Sequence, residues 1–317
     1  MSKQLFNFCV YHDYVAQLKM KGMRLPAYVK KLGLDGIEHL VYGRETPEPT
    51  FKESSVGAHL AYWPYWMGFW TNNRERMKRE FKSARAKNDY YFGALNKDEW
   101  LSVIQQNLIA AENVKPEYMV WHVSEADVKE TYTFDFQYSD REVLEATARV
   151  FNAVSIAIPS HVTVLFENLW WPGLRLTDKE NVRFFFDSIQ RKNTGIMLDT
   201  GHLMNTNPEL RSEEEAADFI CRTVDNLGEL AGLIKGVHLS CSLSGEYQKT
   251  FVRECPRHTT FGSLYKHIVS IDQHKPFRTK AARRILDYIQ PDYVTHELIY
   301  NTLDELEEML EIQLSNC

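Results

Sequence analysis

The sequence predicts an α/β protein built as a closed (β/α)8 barrel, the TIM-barrel architecture, and three observations predict it. Short apolar runs recur, each ended by a metal-capable side chain: Val56-Gly57-Ala58 by His59, Tyr118 to Trp121 by His122, Val162 to Phe166 by Glu167, Ile196-Met197-Leu198 by Asp199, and Lys235-Gly236-Val237 by His238. Tyr293-Val294-Thr295 leads in the same way to His296 and Glu297. Strands of a parallel sheet are covered on both faces and so read as continuous apolar runs, and polar residues at their C-terminal ends mark the working face of a barrel. The apolar runs also alternate with helical segments, the pattern of βα units and a parallel sheet. Finally, 317 residues of which 44% are hydrophobic and 25% charged form an ordinary globular composition. One barrel over 1–317 fits this length better than two unrelated domains.

Taken in order, Leu5–Tyr11 reads as the first strand. Leu25–Leu32 is a helix with Pro26 near its start and Gly33 at its end. Gly36–Leu40 is the second strand, with Glu38 pointing either inward or to the surface. Val56–Leu60 is the third. The alternation then breaks at 61–95, an aromatic-rich insertion too long for an ordinary βα loop and expected on the catalytic face. A helix over Lys97–Val114 precedes the fourth strand, Tyr118–His122. Ser139–Ile158 is a long amphipathic helix before the fifth strand, Val162–Glu167. Thr177 with Glu180, and Ser212 with Glu215, look like capping boxes that open two helices. The sixth strand lies between them and ends at Asp199, where Gly201 permits a tight turn before His202. Ile234–Leu239 is the seventh strand. A long loop over 240–277 follows, then a helix over Arg278–Ile289, the eighth strand Tyr293–Leu298 and a closing helix Leu303–Leu314.

Composition bounds the function. The net charge is -6 and the pI about 6.0, so the chain as a whole has no cationic footprint for a polyanion or an acidic membrane. No apolar run approaches transmembrane length. Five scattered cysteines without a C-x-x-C spacing, and an N-terminal stretch that runs directly into a strand, lead us to expect a reduced, cytoplasmic protein.

The chemistry concentrates in nine residues at or just after strand ends: His59, His122, Glu167, Asp199, His202, His238, Asp272, His274 and Glu297. A buried carboxylate and imidazole are costly unless paired, and a divalent metal satisfies both. His12, His161, His258, His267 and His296 lack a supporting pattern. Trp63, Trp66 and Trp70, with Trp170 and Trp171 shortly after Glu167, are candidate substrate-binding walls or simply loop packing.

These motifs resemble the xylose isomerase-like barrel superfamily, which includes endonuclease IV and the sugar isomerases and epimerases. The shared metal set is matched by Glu167-Asn168, Asp199-Thr200-Gly201-His202, His238 and Glu297. The endonuclease IV branch is matched further by His59, His122 and Asp272-Gln273-His274. The resemblance implies one metal on His59, His122 and Glu167. It implies a second on Glu167, Asp199, His238 and Glu297, with Glu167 bridging, and a third on His202, Asp272 and His274. Mixed imidazole and carboxylate ligands suit zinc, with manganese or iron as alternatives. The chain departs from the nuclease in its long segment after His238, in Lys275-Pro276-Phe277, and in its aromatic insertion, so specific DNA binding is not expected and a small-molecule substrate is. The implied activity is metal-dependent hydrolysis of a phosphoester. The alternative is a sugar or sugar-phosphate isomerase or epimerase, in which Glu167 and Glu297 are the acid/base pair and His202 binds substrate.

Overall fold

In the computed structural model, which describes residues 2–317, eight parallel strands close into a barrel in sequence order. They are β1 (Lys3–Phe8), β2 (Gly36–Val41), β3 (Ser55–Leu60), β4 (Tyr118–His122), β5 (Thr163–Glu167), β6 (Thr194–Asp199), β7 (Ile234–His238) and β8 (Tyr293–His296). Leu5, Tyr118, Val120, Leu165 and Met197 fill the interior as a floor. Outward-facing strand residues pack under the ring of helices; Phe166, for example, meets Phe151 at 4.8 Å and Phe185 at 4.9 Å, both edge-on. This floor blocks the barrel from below, so polar groups above it are reached from the C-terminal mouth alone. No helix among the described residues is long and apolar enough to cross a membrane, and all five cysteines are free.

Several boundaries differ from expectation. β1 ends at Phe8 and β8 at His296. The expected box at Thr177 is replaced by Asp178, whose carboxylate accepts from the amides of Glu180 and Asn181. Ser212 does cap its helix, accepting from Glu215 at 3.2 Å. The helix expected from Arg278 begins at Ala281, because the amides of Arg278 and Thr279 are taken by Glu213. The long segment after β7 holds two helices, Gly245–Thr250 and Phe261–Ile271. The second is opened by a reciprocal Thr260–Ser263 cap, a serine standing where a Glu or Gln signals such boxes in sequence.

The 61–95 insertion folds into three short helices, Met67–Trp70, Arg74–Glu80 and Ala84–Tyr90. They enclose their own aromatic core, with Phe69 on Tyr91 at 4.1 Å and Tyr65 on Tyr90 at 4.3 Å. What fastens it is electrostatic. Arg76, 1% exposed, bonds Glu80 and Glu130 at 2.8 Å each and Glu125 still more closely, beneath the Tyr138 ring. Glu125 also accepts the amides of Trp66 and Met67. One guanidinium thus joins the insertion to the segment that follows β4. Removing it strands several buried carboxylates, which costs about 3–5 kcal/mol. Arg76→Ala is therefore expected to lower the melting temperature by roughly 5–10 °C and to expose 61–95 to limited proteolysis. An unchanged melting curve and digestion pattern would show that the insertion is held by its aromatic core instead.

Candidate metal centre

Register brings the site residues level. His122 pairs with Glu167 across β4 and β5, and Asp199 with His238 across β6 and β7. Across β5 and β6 the ladder steps, Glu167 facing Met197 two residues before Asp199, and strand tilt brings both pairs to the same mouth, where His59 joins them from the end of β3. His202 arrives through a helical turn, Thr200–Asn205, that starts directly from β6. Asp199 caps this turn: one carboxylate oxygen accepts from the amide of His202 at 2.5 Å, while the other, Oδ2, is buried without a hydrogen-bond partner among the described residues. Capping therefore occupies one oxygen of the group and leaves the other available to a cation. Gly201 serves close approach rather than a tight turn. A Cβ there would meet Ser240 Oγ at 2.7 Å and Ser242 Oγ at 3.0 Å. His274 has φ 43°, a left-handed backbone uncommon for a side-chain-bearing residue. This turns its ring back onto Asp272, with Nε2 2.6 Å from Oδ2. Strain of this kind is found at functional sites.

All nine residues converge. They fall into three sets whose ligand atoms lie within 4.8 Å of one another: His59, His122 and Glu167; Glu167, Asp199, His238 and Glu297; and, sharing no member with these, His202, Asp272 and His274; Glu38 makes a further set with His59 and His238. Glu167 is fully buried and common to two of them. Its oxygens lie 3.3 Å from His59 Nε2 and His122 Nε2, 3.2 Å from His202 Nδ1 and 3.4 Å from His238 Nδ1. Asp272 joins His202 at 3.1 Å to His274.

The far side of each ring fixes its orientation. His202 Nδ1 lies 2.9 Å from the Asn168 carbonyl, His274 Nδ1 3.0 Å from that of Glu297, and His59 Nδ1 3.2 Å from that of Leu60. A carbonyl only accepts, so Nδ1 carries a proton in each, and Nε2 is the nitrogen that a cation could take in place of a proton. His238 is reversed. Its Nε2 donates to Glu38 at 3.0 Å, and Nδ1 faces Glu167 and Glu297. Glu38, left open between inward and outward from sequence, is fully buried and also accepts from Tyr118 at 2.6 Å and Thr295 at 3.1 Å. Tyr118 reaches it across Gly57, where a Cβ would stand 2.3 Å from the ring. The sequence signal was the carboxylate inside the short strand β2, Gly36-Ile37-Glu38-His39-Leu40-Val41. The outer nitrogen of His122, unlike those of the other four, has no partner among the described residues. It stands against a cavity of about 40 Å3 lined by Trp63, Trp66, Trp100 and Thr147.

The electrostatics are those of a site crowded with like charges. Burial pushes the Asp199 carboxyl up to about 8, with Glu297 and Asp272 adding to the effect against His202. Glu167 and Glu297 are held well below the usual carboxylate range: burial opposes this, but the neighbouring imidazoles outweigh it. His202 and His238 are raised well above the ordinary histidine value, and His274 to about 10, by the carboxylates around them, again against burial. His122, with less compensation for its burial, falls to about 3. Both Glu167 oxygens, Asp199 Oδ2, His59 Nε2, His238 Nδ1 and Glu297 Oε2 are buried without hydrogen-bond partners among the described residues. So many inward-facing orphans are expensive. Their N and O donor chemistry fits divalent cations bound by imidazole and carboxylate.

The tryptophans occupy two places. Trp63 and Trp66 donate to the carbonyls of Tyr90 and Ser124 and help line the cavity beside His122. Trp70 packs against Trp100. Trp170 and Trp171 are 6% and 4% exposed and pack with Leu169, Ala126 and Ile271; the Trp170 ring lies 5.2 Å from that of His202.

Glu38 sets which nitrogen of His238 faces the centre, so it is a positioning residue. Glu38→Ala is expected to weaken metal retention about 10–100-fold, read by titration with a competing chelator. Retention equal to wild type would remove Glu38 from this role.

No protein-family model matches the chain, and no curated protein does. Solved structures do match. Endonuclease IV from Thermus thermophilus is 13% identical, with 99% of this chain and 98% of that one covered and a TM-score of 0.52. The 3-keto-D-glucoside 4-epimerase from E. coli is 12% identical, with coverage of 99% and 98% and a TM-score of 0.50. At these identities the likeness is one of fold. The chain is a closed (β/α)8 barrel, a fold that it shares with these two enzymes.

Proposed function

We propose that this protein is a metal-dependent hydrolase of phosphoesters that uses up to three divalent cations, with zinc favoured. One observation supports this above the others: Asp272 and His274 join His202 in a third ligand set, beside two sets that share Glu167. A centre that needs one metal has no use for that third set. When bound, cations of this kind lower the pKa of water and offset charge developing on phosphoryl oxygens. The protein's own groups do the rest. Glu167 is common to two of the ligand sets and would supply its charge to the cations held by both. Asp272, between His202 and His274, draws the third set together. Glu297 is the least buried of the carboxylates in the shared set, its side chain 15% exposed against 0% for Glu167 and Asp199. It can therefore meet substrate while Glu167 stays dry.

A second reading is a sugar isomerase or epimerase. It draws on the placing of Glu167 and Glu297 against the same nitrogen, His238 Nδ1, at 3.4 and 3.0 Å. Two carboxylates about one position can pass a proton between neighbouring carbons.

Asp272→Ala combined with His274→Ala separates the two. Under the hydrolytic reading the double variant loses about one metal equivalent per chain, because a lone imidazole does not retain zinc. Turnover of bis(p-nitrophenyl) phosphate falls by about 10²-fold or more, as for loss of one preorganised contact to developing charge. An unchanged metal content, together with retained exchange of a ketose carbon-bound proton with solvent deuterium, would overturn it. Glu167→Gln is expected to abolish turnover and reduce metal content while the melting temperature stays near wild type. Full metal content with full activity would contradict its bridging role.

A further inference from the structure

His122 turns Nε2 to Glu167 and its other nitrogen to the cavity of about 40 Å3. Residues of β3 and β4 close this cavity together with two helices, Lys97–Glu112 and Asp140–Val154. Trp100, Ile104 and Asn107 reach it from the first helix, Thr147 and Val150 from the second, at the three- and four-residue spacings that share a helix face. Most of the wall is apolar. Three polar atoms of its residues are nonetheless buried without hydrogen-bond partners among the described residues: His122 Nδ1, Trp100 Nε1 and Thr147 Oγ1.

Each of the three departs from its own kind. The indoles of Trp63 and Trp66, on the same cavity, donate to the carbonyls of Tyr90 and Ser124. That of Trp100, 2% exposed, has no such acceptor. Thr133, Thr223 and Thr250 each donate to the carbonyl four residues back. Thr147, in the middle of its helix and also 2% exposed, does not. His122 alone among the five imidazoles of the ligand sets lacks a partner on its outer nitrogen. A fourth group has capacity left. Asn107 Nδ2 donates to the carbonyls of Val41 and Gly43, while Oδ1 accepts only the amide of Ala61, at 3.1 Å, and keeps a lone pair.

Unpaired polar atoms buried around one small cavity are destabilising, and one molecule satisfies them together. A water needs about 10–15 Å3 and two to four polar partners. The hydrogen-bond inventory also balances, since a water accepts two bonds and donates two. The indole N–H of Trp100 is a donor, and so is Nδ1–H of His122 when Nε2 serves a cation; the oxygens of Thr147 and Asn107 are acceptors.

We propose that this cavity is a built site for one internal water, and that the water, anchored by Thr147, positions His122 by fixing its outer nitrogen. It does for His122 what the Leu60 carbonyl does for His59 and Glu38 for His238. Thr147 and Trp100 are then positioning residues. The inference rests on the hydrolytic reading only in taking His122 as a cation ligand; the water site stands on the cavity and its four polar groups.

A crystal structure of the whole chain, at a resolution that shows ordered water, tests the site without metal or turnover. One density peak is expected within hydrogen-bond distance of His122 Nδ1, Trp100 Nε1 and Thr147 Oγ1. Two variants test the role. Thr147→Val keeps the shape and removes the hydroxyl, and Thr147→Ser keeps the hydroxyl and removes a methyl. Zinc-loaded proteins are titrated with a competing chelator. In Thr147→Val one metal equivalent is expected to leave about tenfold more readily, the low end for loss of an outer partner, while the others hold as in wild type. Thr147→Ser is expected to retain zinc as wild type does. Packing alone would give the opposite order, because Thr147→Val fills the wall and Thr147→Ser does not. Melting curves of the metal-free proteins are expected to match wild type within a few degrees. The proposal is overturned if no density stands at that point, if Thr147→Val retains zinc as wild type does, or if Thr147→Ser loses it as Thr147→Val does. A wild type that holds the water but no zinc would defeat the hydrolytic reading and the ligand role of His122, and leave the water site in place.

Discussion

Glu167 keeps its charge where no water reaches it. Placing a lone carboxylate in a dry interior costs far more than a fold can spare, and this one stands only because imidazoles from β3, β4, β7 and the turn after β6 surround it at 3.2 to 3.4 Å. Each imidazole must aim a particular nitrogen inward. The Leu60 carbonyl behind His59 serves that end, as does Glu38 behind His238, while His202 turns Nδ1 to both Glu167 and the Asn168 carbonyl. Tyr118 then steadies Glu38, and Gly57 leaves room for Tyr118. The chain of dependence runs from one carboxylate to the barrel floor.

Keeping that carboxylate dry is the work of the loops above it. The segments after β3, β4, β5 and β7 interlock, with Tyr62, Ala126, Trp170 and Ile271 in one apolar cluster over the mouth. Low polarity there strengthens the attraction between the ligand atoms and any cation they hold. The Arg76 junction fixes where the insertion sits in this cover, so a residue far from the chemistry governs how dry the chemistry is.

The barrel and the side chains that gather at its mouth were legible in the sequence because both are written in short-range patterns. A buried parallel strand needs a continuous apolar run, and a ligand at its end interrupts that run in a recognisable way, as at Leu198-Asp199 or Phe166-Glu167. Glu38 was harder. It sits within β2 rather than at its end, and its partner His238 is 200 residues away, so nothing local gave its direction. The tryptophans near the mouth read as a wall, yet composition could not separate rings that face a pocket from rings that pack on each other, and Trp70 lies against Trp100.

Asp199 ends a strand, starts a helix and offers its spare oxygen to the shared ligand set, all within three residues of His202. Secondary-structure punctuation and ligand spacing are therefore one measurement here. A single residue inserted between Asp199 and His202 would break the cap and rotate the imidazole away by about 100°, the turn per residue of a helix. An insertion in the outer parts of the mouth loops leaves that geometry in place, while one in this four-residue step does not. Length variation among proteins descended from this one should stop at that step.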